Sequence, residues 1–231
     1  MDDLSFPPLF RPHATRDPFH AAVEAARGGS EPGLVCHDIQ ADTLRAAIAF
    51  VPALPLKQAV TALPVCGVGF QNAFGALSPP NVAVHLDWDG GVRINGALAG
   101  RLQMTADRSD PEAEPDWLVV GLELDLMPRS DDPGAEPDRT SLYDEGCGDI
   151  DPPRLLEAWV RHTLTWINTW LEEGVKPVHA EWSQLVHGQG GPITVEGDEG
   201  TFVGVDEGLG LLIKSDEETR LIPLTRLLKE V

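Results

Sequence analysis

Cysteine is scarce in this sequence, and long apolar runs are missing from it. Cys36, Cys66 and Cys147 are too few and too scattered for a disulfide framework, and no cysteine or histidine spacing suggests a zinc site. No apolar run approaches the roughly 18 residues of a membrane-spanning helix, and none has the form of a signal peptide. We therefore expect a soluble cytoplasmic protein with reduced thiols and no bound metal.

Positive charge is also scarce. The 231 residues contain 17 lysines and arginines against 37 acidic residues, which gives a formal net charge of −20. This charge opposes binding to the nucleic-acid backbone and to anionic membranes, because both require a basic surface. We expect neither as a partner, and we interpret the acidic surface as a source of solubility.

Apolar periodicity and turn residues indicate an α+β fold. The clearest helix is predicted at 151–174, where Asp151 caps the first turn and Gly174 ends the last. A second helix is predicted over 56–77, with a kink at Pro64. Strands are expected at 34–37, 46–51, 81–88, 92–94, 98–104 and 117–126.

Two regions differ from this pattern. The stretch 128–148 is rich in Asp, Pro and Gly, and we interpret it as disordered or loosely packed surface. After a hinge at 188–192, four short strands with tight turns follow. About 40 residues cannot build a large core alone, so we predict a main unit over 1–187 and a small docked barrel over 190–231.

The most informative stretch runs from Trp88 to Leu102. It contains Trp88-Asp-Gly-Gly, a second turn at Asn95-Gly96, and then Leu98-Ala99-Gly100-Arg101. Glycine at such points lets another group approach the backbone closely. The stretch resembles the signature of biotin/lipoate protein ligases, in which a Trp-Pro-Asn-Asp turn leads to a strand containing Lys-Leu-Ala-Gly.

The resemblance continues through the chain in order. Strand 119–126 is similar to the Ile-Gly-x-Gly-Ile-Asn strand of the ligases, with Asp125 in place of the asparagine. The rhythm of 202–212 resembles their C-terminal SH3-like module. The resemblance therefore implies a ligase-like mixed sheet with helices and a small C-terminal SH3-like β-barrel.

The family joins a carboxylic acid to ATP as an acyl-adenylate and then transfers the acyl group to a carrier lysine. Backbone amides and cations must hold the mutually repelling phosphates and carboxylate in line. Here Asp89-Gly90-Gly91 replaces the Pro-Asn-Asp, Ala97 replaces the strand lysine, and 38–45 replaces the Gly-Arg-Gly-Arg loop. Efficient use of ATP is therefore not expected.

The resemblance implies a ligand site on the sheet, where arginine could replace the missing cations, since it holds carboxylates and phosphates through two hydrogen bonds. No catalytic residue is assigned. The expected ligands are biotin, lipoate or an acyl-adenylate. The candidate binding residues are Trp88, Arg93, Gly96, Ala99, Gly100 and Arg101, with Asn72 and Asp125 at the rim.

Two functions are consistent with these observations, beside a coincidental α+β fold of unrelated role. The first is a ligase-like protein that binds a biotinyl, lipoyl or related acyl group, with reduced or altered transfer activity. The second is a non-catalytic interaction module on a pseudo-ligase scaffold. An acyl-carrier domain would be the partner in either case, and the oligomeric state is left open.

Overall fold

In the part of the chain that the structure describes, seven strands and five helices form the main unit, and four strands form the C-terminal unit. The computed structural model describes residues 4–130, 132, 136–195, 197–215 and 218–230. The strands are β1 (Arg11–Ala14), β2 (Leu34–Ile39), β3 (Thr43–Phe50), β4 (Val84–Leu86), β5 (Gly91–Ile94), β6 (Ala97–Ala106), β7 (Leu118–Asp125), β8 (Pro192–Val195), β9 (Asp198–Val205), β10 (Leu211–Lys214) and β11 (Thr219–Ile222). The helices are α1 (Pro18–Arg27), α2 (Leu56–Ala59), α3 (Ala62–Gly75), α4 (Pro152–Glu173) and α5 (Val175–Leu185), with a short 3₁₀ helix at Leu224–Leu227.

Local sequence explains where the two best-defined helices begin and end. Asp17 and Asp151 each precede a proline and accept a hydrogen bond from the backbone N–H three residues on, at the starts of α1 and α4. This is the usual N-cap arrangement, and proline fits the first turn because its missing N–H is not needed there. Gly174 ends α4 at a φ of 80°, which favours glycine.

The main sheet is mixed and has the order β1-β2-β3-β7-β6-β5-β4. The first pair is parallel and every other neighbouring pair is antiparallel. One face of the sheet packs against α2 to α5 in the principal core, which includes the fully buried Trp159 and Phe70. The other face is covered only in part, by α1.

The C-terminal unit is a four-stranded antiparallel sheet in the order β11-β10-β9-β8. It is tied to the main unit by the buried Trp88, whose indole Nε1–H donates to the carbonyl of Leu209 at 2.8 Å. Leu228 also pairs in parallel with Met104, which adds a short segment to the main sheet beside β6. The pairing seen is that of an open sheet, so closure into a barrel stays a prediction.

Three expectations need correction. The helix predicted over 56–77 is two helices, α2 and α3, and it breaks at Val60-Thr61 rather than at Pro64. The edge strand β1 was missed, because its residues are all exposed and carry no apolar alternation. The end of the stretch 128–148, which was expected to be loose, contains the buried residues Ser141, Leu142 and Cys147, whereas most of its other described residues are exposed. Residues 131 and 133–135 of this stretch lie outside the described residues.

No helix in the part of the chain that the structure describes is both long and apolar enough to cross a membrane.

Candidate functional site

A tight hairpin stands where the sequence comparison expected the phosphate-binding loop. β2 ends at Ile39 and β3 begins at Thr43, and the N–H of Gln40 donates to the carbonyl of Thr43 at 2.9 Å. Asp38 and Arg45 face each other across this hairpin and form an ion pair. The turn is too short to wrap around a triphosphate with successive backbone amides, as phosphate-binding loops do.

A row of charged side chains crosses the sheet from this hairpin. Asp38 lies opposite Arg45, Arg45 opposite Glu123, and Glu123 opposite Arg101, on β2, β3, β7 and β6 in turn. Residues directly opposite each other share a face of a sheet, so the four side chains form one line. We call these residues the charged row. The charges alternate in sign, so the row is formally neutral.

The row lies on the face that α1 covers only in part. The side chains of Arg45, Arg101 and Glu123 are 40%, 45% and 49% exposed. Arg101 is paired with Asp89 of the glycine turn at 3.2 Å. Exposed pairs of this kind contribute about 0–1 kcal/mol, so a ligand anion can displace Asp89 at little cost.

An apolar patch adjoins the charged row on the same face. Gly121 is two residues before Glu123 on β7, and a side chain there would collide with the ring of Phe19 from α1. The glycine therefore lets Phe19 lie directly on the sheet beside the row. Gln103 of β6 lies opposite Gly121. The surface thus combines an aromatic ring, an amide and arginines within a few residues.

Asp125 is a buried acid that is bound by two arginines. Its carboxylate is 2% exposed and accepts from Nε of Arg129 at 2.9 Å and from Nη2 of Arg139 at 2.8 Å. The bond from Arg129 raises the pKa of that guanidinium. Asp125 is thereby engaged in fastening the segment after β7, and with Thr140 these residues line an open cavity of about 450 Å³.

The glycines of the signature have structural tasks. A side chain at Gly100 would overlap the carbonyl oxygen of Glu123 on the neighbouring strand, so the close approach there is to backbone. Gly96 has a φ of 95° and follows Asn95, at 51°, in the β5–β6 turn, a pairing typical of type I′ hairpins. Ala99 is fully buried. Ligand contact by these three residues stays a prediction.

The other candidates are dispersed. Trp88 is 3% exposed and joins the two sheets. Arg93 holds both carboxylate oxygens of Asp87 at 2.8 and 2.9 Å and also donates to the carbonyl of Gly96. Asn72 lies on α3, in the helical layer, where it accepts from the indole of Trp166. Of the eight candidates, Arg101 is the one exposed in the charged row.

The cysteines are all buried and unpaired. Burial raises the pKa of Cys36 to about 11 and that of Cys66 further still. A nucleophilic cysteine needs a lowered pKa, so these two thiols have the character of core residues. No cluster of three or more His, Cys, Asp or Glu side chains suited to a metal ion occurs among the described residues.

Comparison with known proteins agrees with this architecture. The model of the biotin/lipoate A/B protein ligase family matches residues 6–184. The chain belongs to this family. A second model, described as a domain of unknown function (DUF4444), matches residues 190–230. A search of curated proteins found no match.

Solved structures extend the likeness of this ligase-family chain. A biotin protein ligase-like protein of unknown function from Silicibacter sp. is 52% identical, with a TM-score of 0.93 over 98% of this chain and 100% of that one. Biotin protein ligase from Aquifex aeolicus is 19% identical, with a TM-score of 0.73 over 92% and 95%. The same enzyme has been solved in complex with biotin and ATP, at 18% identity to this chain, a TM-score of 0.70 and 92% and 95% coverage. The last two likenesses show a shared fold.

Several residues of the site escaped sequence reasoning. Arg45 and Glu123 stand 78 positions apart and meet only because β3 pairs with β7. Arg129 and Arg139 lie in the stretch 128–148, which the composition predicts to be loosely packed, yet both donate hydrogen bonds to Asp125. The one signal in the sequence is the presence of two arginines in a segment otherwise rich in acids, and this signal does not identify their partner.

Proposed function

We propose that this protein binds a biotinyl, lipoyl or related acyl group on the sheet face beside the charged row, with reduced or altered acyl transfer. The observation that carries the proposal is the position of Arg101, an exposed arginine next to the apolar patch of Phe19 and Gly121. An acyl ligand of this type has an apolar chain and one carboxylate. The ring and the glycine suit the chain, and the guanidinium suits the carboxylate.

We infer reduced acyl transfer because two features that bind ATP phosphates are missing, one in the β2–β3 hairpin and one at the start of β6. Forming an adenylate requires donors aimed at the phosphates and at the attacking carboxylate. Ala97 supplies no cation, and the turn after Ile39 supplies no glycine-rich loop. Loss of one oriented donor typically lowers a rate by roughly 10²–10³, so adenylation of free acid by ATP should be slow.

The non-catalytic interaction module remains the second candidate, and one observation favours it. Each arginine of the site region already has a carboxylate partner: Arg45 with Asp38, Arg101 with Asp89, and Arg129 with Glu123. A site whose arginines are all paired with the protein's own carboxylates has little affinity left for an anionic ligand. The fold would then act as a scaffold without a ligand. An acyl-carrier domain would then be recognised by another surface.

Calorimetry and thermal denaturation with biotin, lipoate, octanoate, ATP and stable mimics of biotinyl-AMP and lipoyl-AMP test the proposal. A ligand at 100 times its Kd stabilises the fold by about 2.7 kcal/mol. We expect such a shift with an acid or an adenylate mimic, and little with ATP. Arg101→Ala should weaken binding by about tenfold or more, because a hydrogen bond to a charged group contributes roughly 1.5–3 kcal/mol.

Arg108→Ala is the matched control. Arg108 is 48% exposed and paired with Asp116, much as Arg101 is paired with Asp89, but it lies in the loop before β7. Its removal should leave binding unchanged. If the folded wild-type protein shows no shift with any of these compounds, acyl binding is wrong and the interaction module is favoured.

A further inference from the structure

A groove lies between the N-terminal segment and the outer side of α4. Its volume is about 750 Å³, and its large apolar side chains are those of Leu9, Phe10, Phe50, Leu164, Ile167 and Leu171. We call these residues the apolar groove. The three from α4 follow one another at spacings of three and four residues, so they form one stripe along the helix. This stripe is separate from the buried side chains by which α4 packs into the principal core.

Two leucines of the apolar groove are largely open to solvent. Leu9 is 79% exposed and Leu171 is 63% exposed. Exposed apolar side chains that are gathered around a groove are typical of an interaction site, because each of them gains from removal from water. The apolar groove is therefore a candidate surface for a protein partner.

The conformation of Leu9 is held by neighbouring backbone. Its φ is 84°, which is uncommon for a leucine. The N–H of Phe10 donates to the carbonyl of Pro7 at 3.1 Å, and a side chain at Gly33 would overlap the carbonyl oxygen of Leu9. Strained residues that their surroundings fix in this way are concentrated at functional sites. We interpret Leu9 as a side chain that the fold presents to a partner.

The charges beside the apolar groove suit a second copy of this chain. Arg11 and Glu31 line the same cavity and form an ion pair at 2.6 Å, with both side chains exposed. In a two-fold contact each copy presents the same surface, so the arginine of each copy can face the glutamate of the other. The lining is also formally neutral in a chain of net charge −20. Two such chains therefore meet here with little local repulsion.

Strand pairing across the edge of the sheet does not supply the contact. β1 is an edge strand, and the N–H groups of Arg11 and Thr15 donate toward β2. The backbone groups of alternate residues point to opposite sides of a strand, so those of Pro12 point outward. Proline has no N–H to donate, which protects an edge against the addition of another strand. The side chains of the apolar groove must form the contact instead.

We propose that the apolar groove is the interface of a two-fold symmetric dimer of this chain, in which Leu9 of each copy packs into the groove of the other. The dimer leaves the charged row accessible, because β3 begins beside the β2–β3 hairpin at Thr43 and ends in the groove at Phe50. The proposal is therefore independent of acyl binding. Arg101→Ala should dimerise as the wild type does.

Sedimentation equilibrium of the full-length protein over a series of concentrations measures the dissociation constant of the dimer. We expect Leu9→Gly and Leu171→Ser each to raise this constant by about tenfold or more, as removal of an apolar anchor from an interface typically does. Both side chains are exposed, and glycine suits the positive φ of Leu9, so thermal unfolding should show that the variants fold. Leu221→Ser is the matched control, since Leu221 is 51% exposed but lies on β11. It should leave the dissociation constant unchanged.

Exchange of charges tests the two-fold arrangement. Arg11→Glu alone and Glu31→Arg alone should each weaken the dimer, because like charges then face each other. An equimolar mixture of the two variants should associate more tightly than either variant alone, since one chain then carries two glutamates and the other carries two arginines. A mixture that associates no better than the single variants would contradict this arrangement.

Added salt should strengthen the dimer, because it screens the repulsion between two chains of net charge −20. The exposed pairs of Arg11 and Glu31 lose less, since such pairs contribute little. A wild-type protein that stays monomeric at every concentration and salt would overturn the proposal and leave the groove to a different protein. A dimer that Leu9→Gly and Leu171→Ser do not weaken, or that Leu221→Ser weakens equally, would also overturn it.

Discussion

At the scale of single residues, the buried carboxylate of Asp125 binds other groups of the protein. Arg129 and Arg139, two arginines from the segment after β7, donate hydrogen bonds to it. Asp125 therefore holds the side chains of Arg129 and Arg139 in place. Removing one partner of a buried charged group is costly, because it leaves the others without their counter-charge.

Asp125→Ala should lower the free energy of unfolding by about 1–3 kcal/mol, measured by urea denaturation, since it leaves Arg129 and Arg139 without their shared acceptor. Asp116→Ala is the control, because Asp116 is 75% exposed in its pair with Arg108, and it should change stability by less than about 0.5 kcal/mol. Equal effects of the two substitutions would contradict the fastening role of Asp125.

Cys36 provides a pH-dependent test at the same scale. With a pKa of about 11, about 0.1% of the thiol is ionised at pH 8, against about a quarter for an exposed cysteine. Alkylation of Cys36 in the native protein should therefore be at least about 100-fold slower than in urea. Its rate should rise about tenfold per pH unit up to about pH 10. Fast labelling at pH 8, followed by mass spectrometry, would show a reactive thiol instead.

At the scale of elements, Gly96 and Gly100 of the β5–β6 hairpin meet different structural requirements. Gly100 allows β6 and β7 to approach, whereas Gly96 supplies a backbone conformation with positive φ and has open space around it. The two positions look alike in the sequence, because both are single glycines four residues apart in the same motif. Only the neighbouring strand shows which constraint applies.

Gly100→Ala should therefore destabilise the protein by about 2 kcal/mol or more, because strand spacing must change to admit the methyl group. Gly96→Ala should cost about 1 kcal/mol, from backbone strain alone. Thermal unfolding of both variants measures the difference. A larger effect at Gly96, or none at Gly100, would show that the strand contact does not constrain this position.

The sequence predicts single elements better than it predicts contacts between distant elements. The helix expected at 151–174 is observed as Pro152–Glu173, because caps and apolar periodicity are local signals. The charged row was not foreseen, since it depends on pairing between distant strands. The packing of Leu142 and Cys147 was missed for a similar reason: their surroundings are supplied by other elements, whereas the local composition is that of a loop.

The family resemblance predicted more of the fold than apolar periodicity did. It identified the mixed sheet and the ligase-like architecture, both of which are confirmed. It did not separate residues that serve the fold from residues that face solvent. Trp88 and Arg101 stand 13 positions apart in one motif, yet one is buried between the units and the other is exposed on the sheet.

At the scale of the whole molecule, a small set of contacts connects the main unit to the C-terminal unit. Trp88 reaches Leu209, and Leu228 extends the main sheet beside β6. The C-terminal sheet has few large buried side chains of its own, among them Phe202 and Leu211. A sheet of this size depends on its neighbour for the burial of its apolar side chains. The stability of the C-terminal sheet should therefore depend on the contacts that Trp88 and Leu228 make between the two units.

Trp88→Phe should destabilise the C-terminal sheet more than the main sheet. The substitution removes the hydrogen bond to Leu209 and leaves a buried carbonyl without its partner, at a cost of about 1–3 kcal/mol. We expect faster amide hydrogen exchange in β9, β10 and β11, with β2 and β3 unchanged. Trp166→Phe is the control, since it loses an indole bond within the helical layer. Uniform acceleration in both variants would contradict selective coupling.

The neutral charged row also has a kinetic consequence, because it sits in a molecule of net charge −20. From a distance an anionic compound meets a repulsive field, and it meets the arginines only within about a Debye length of roughly 10 Å. Added salt should therefore speed the encounter while it weakens the final contacts. Association and dissociation rate constants of an anionic ligand would both increase with ionic strength, whereas a cationic surface would give slower association.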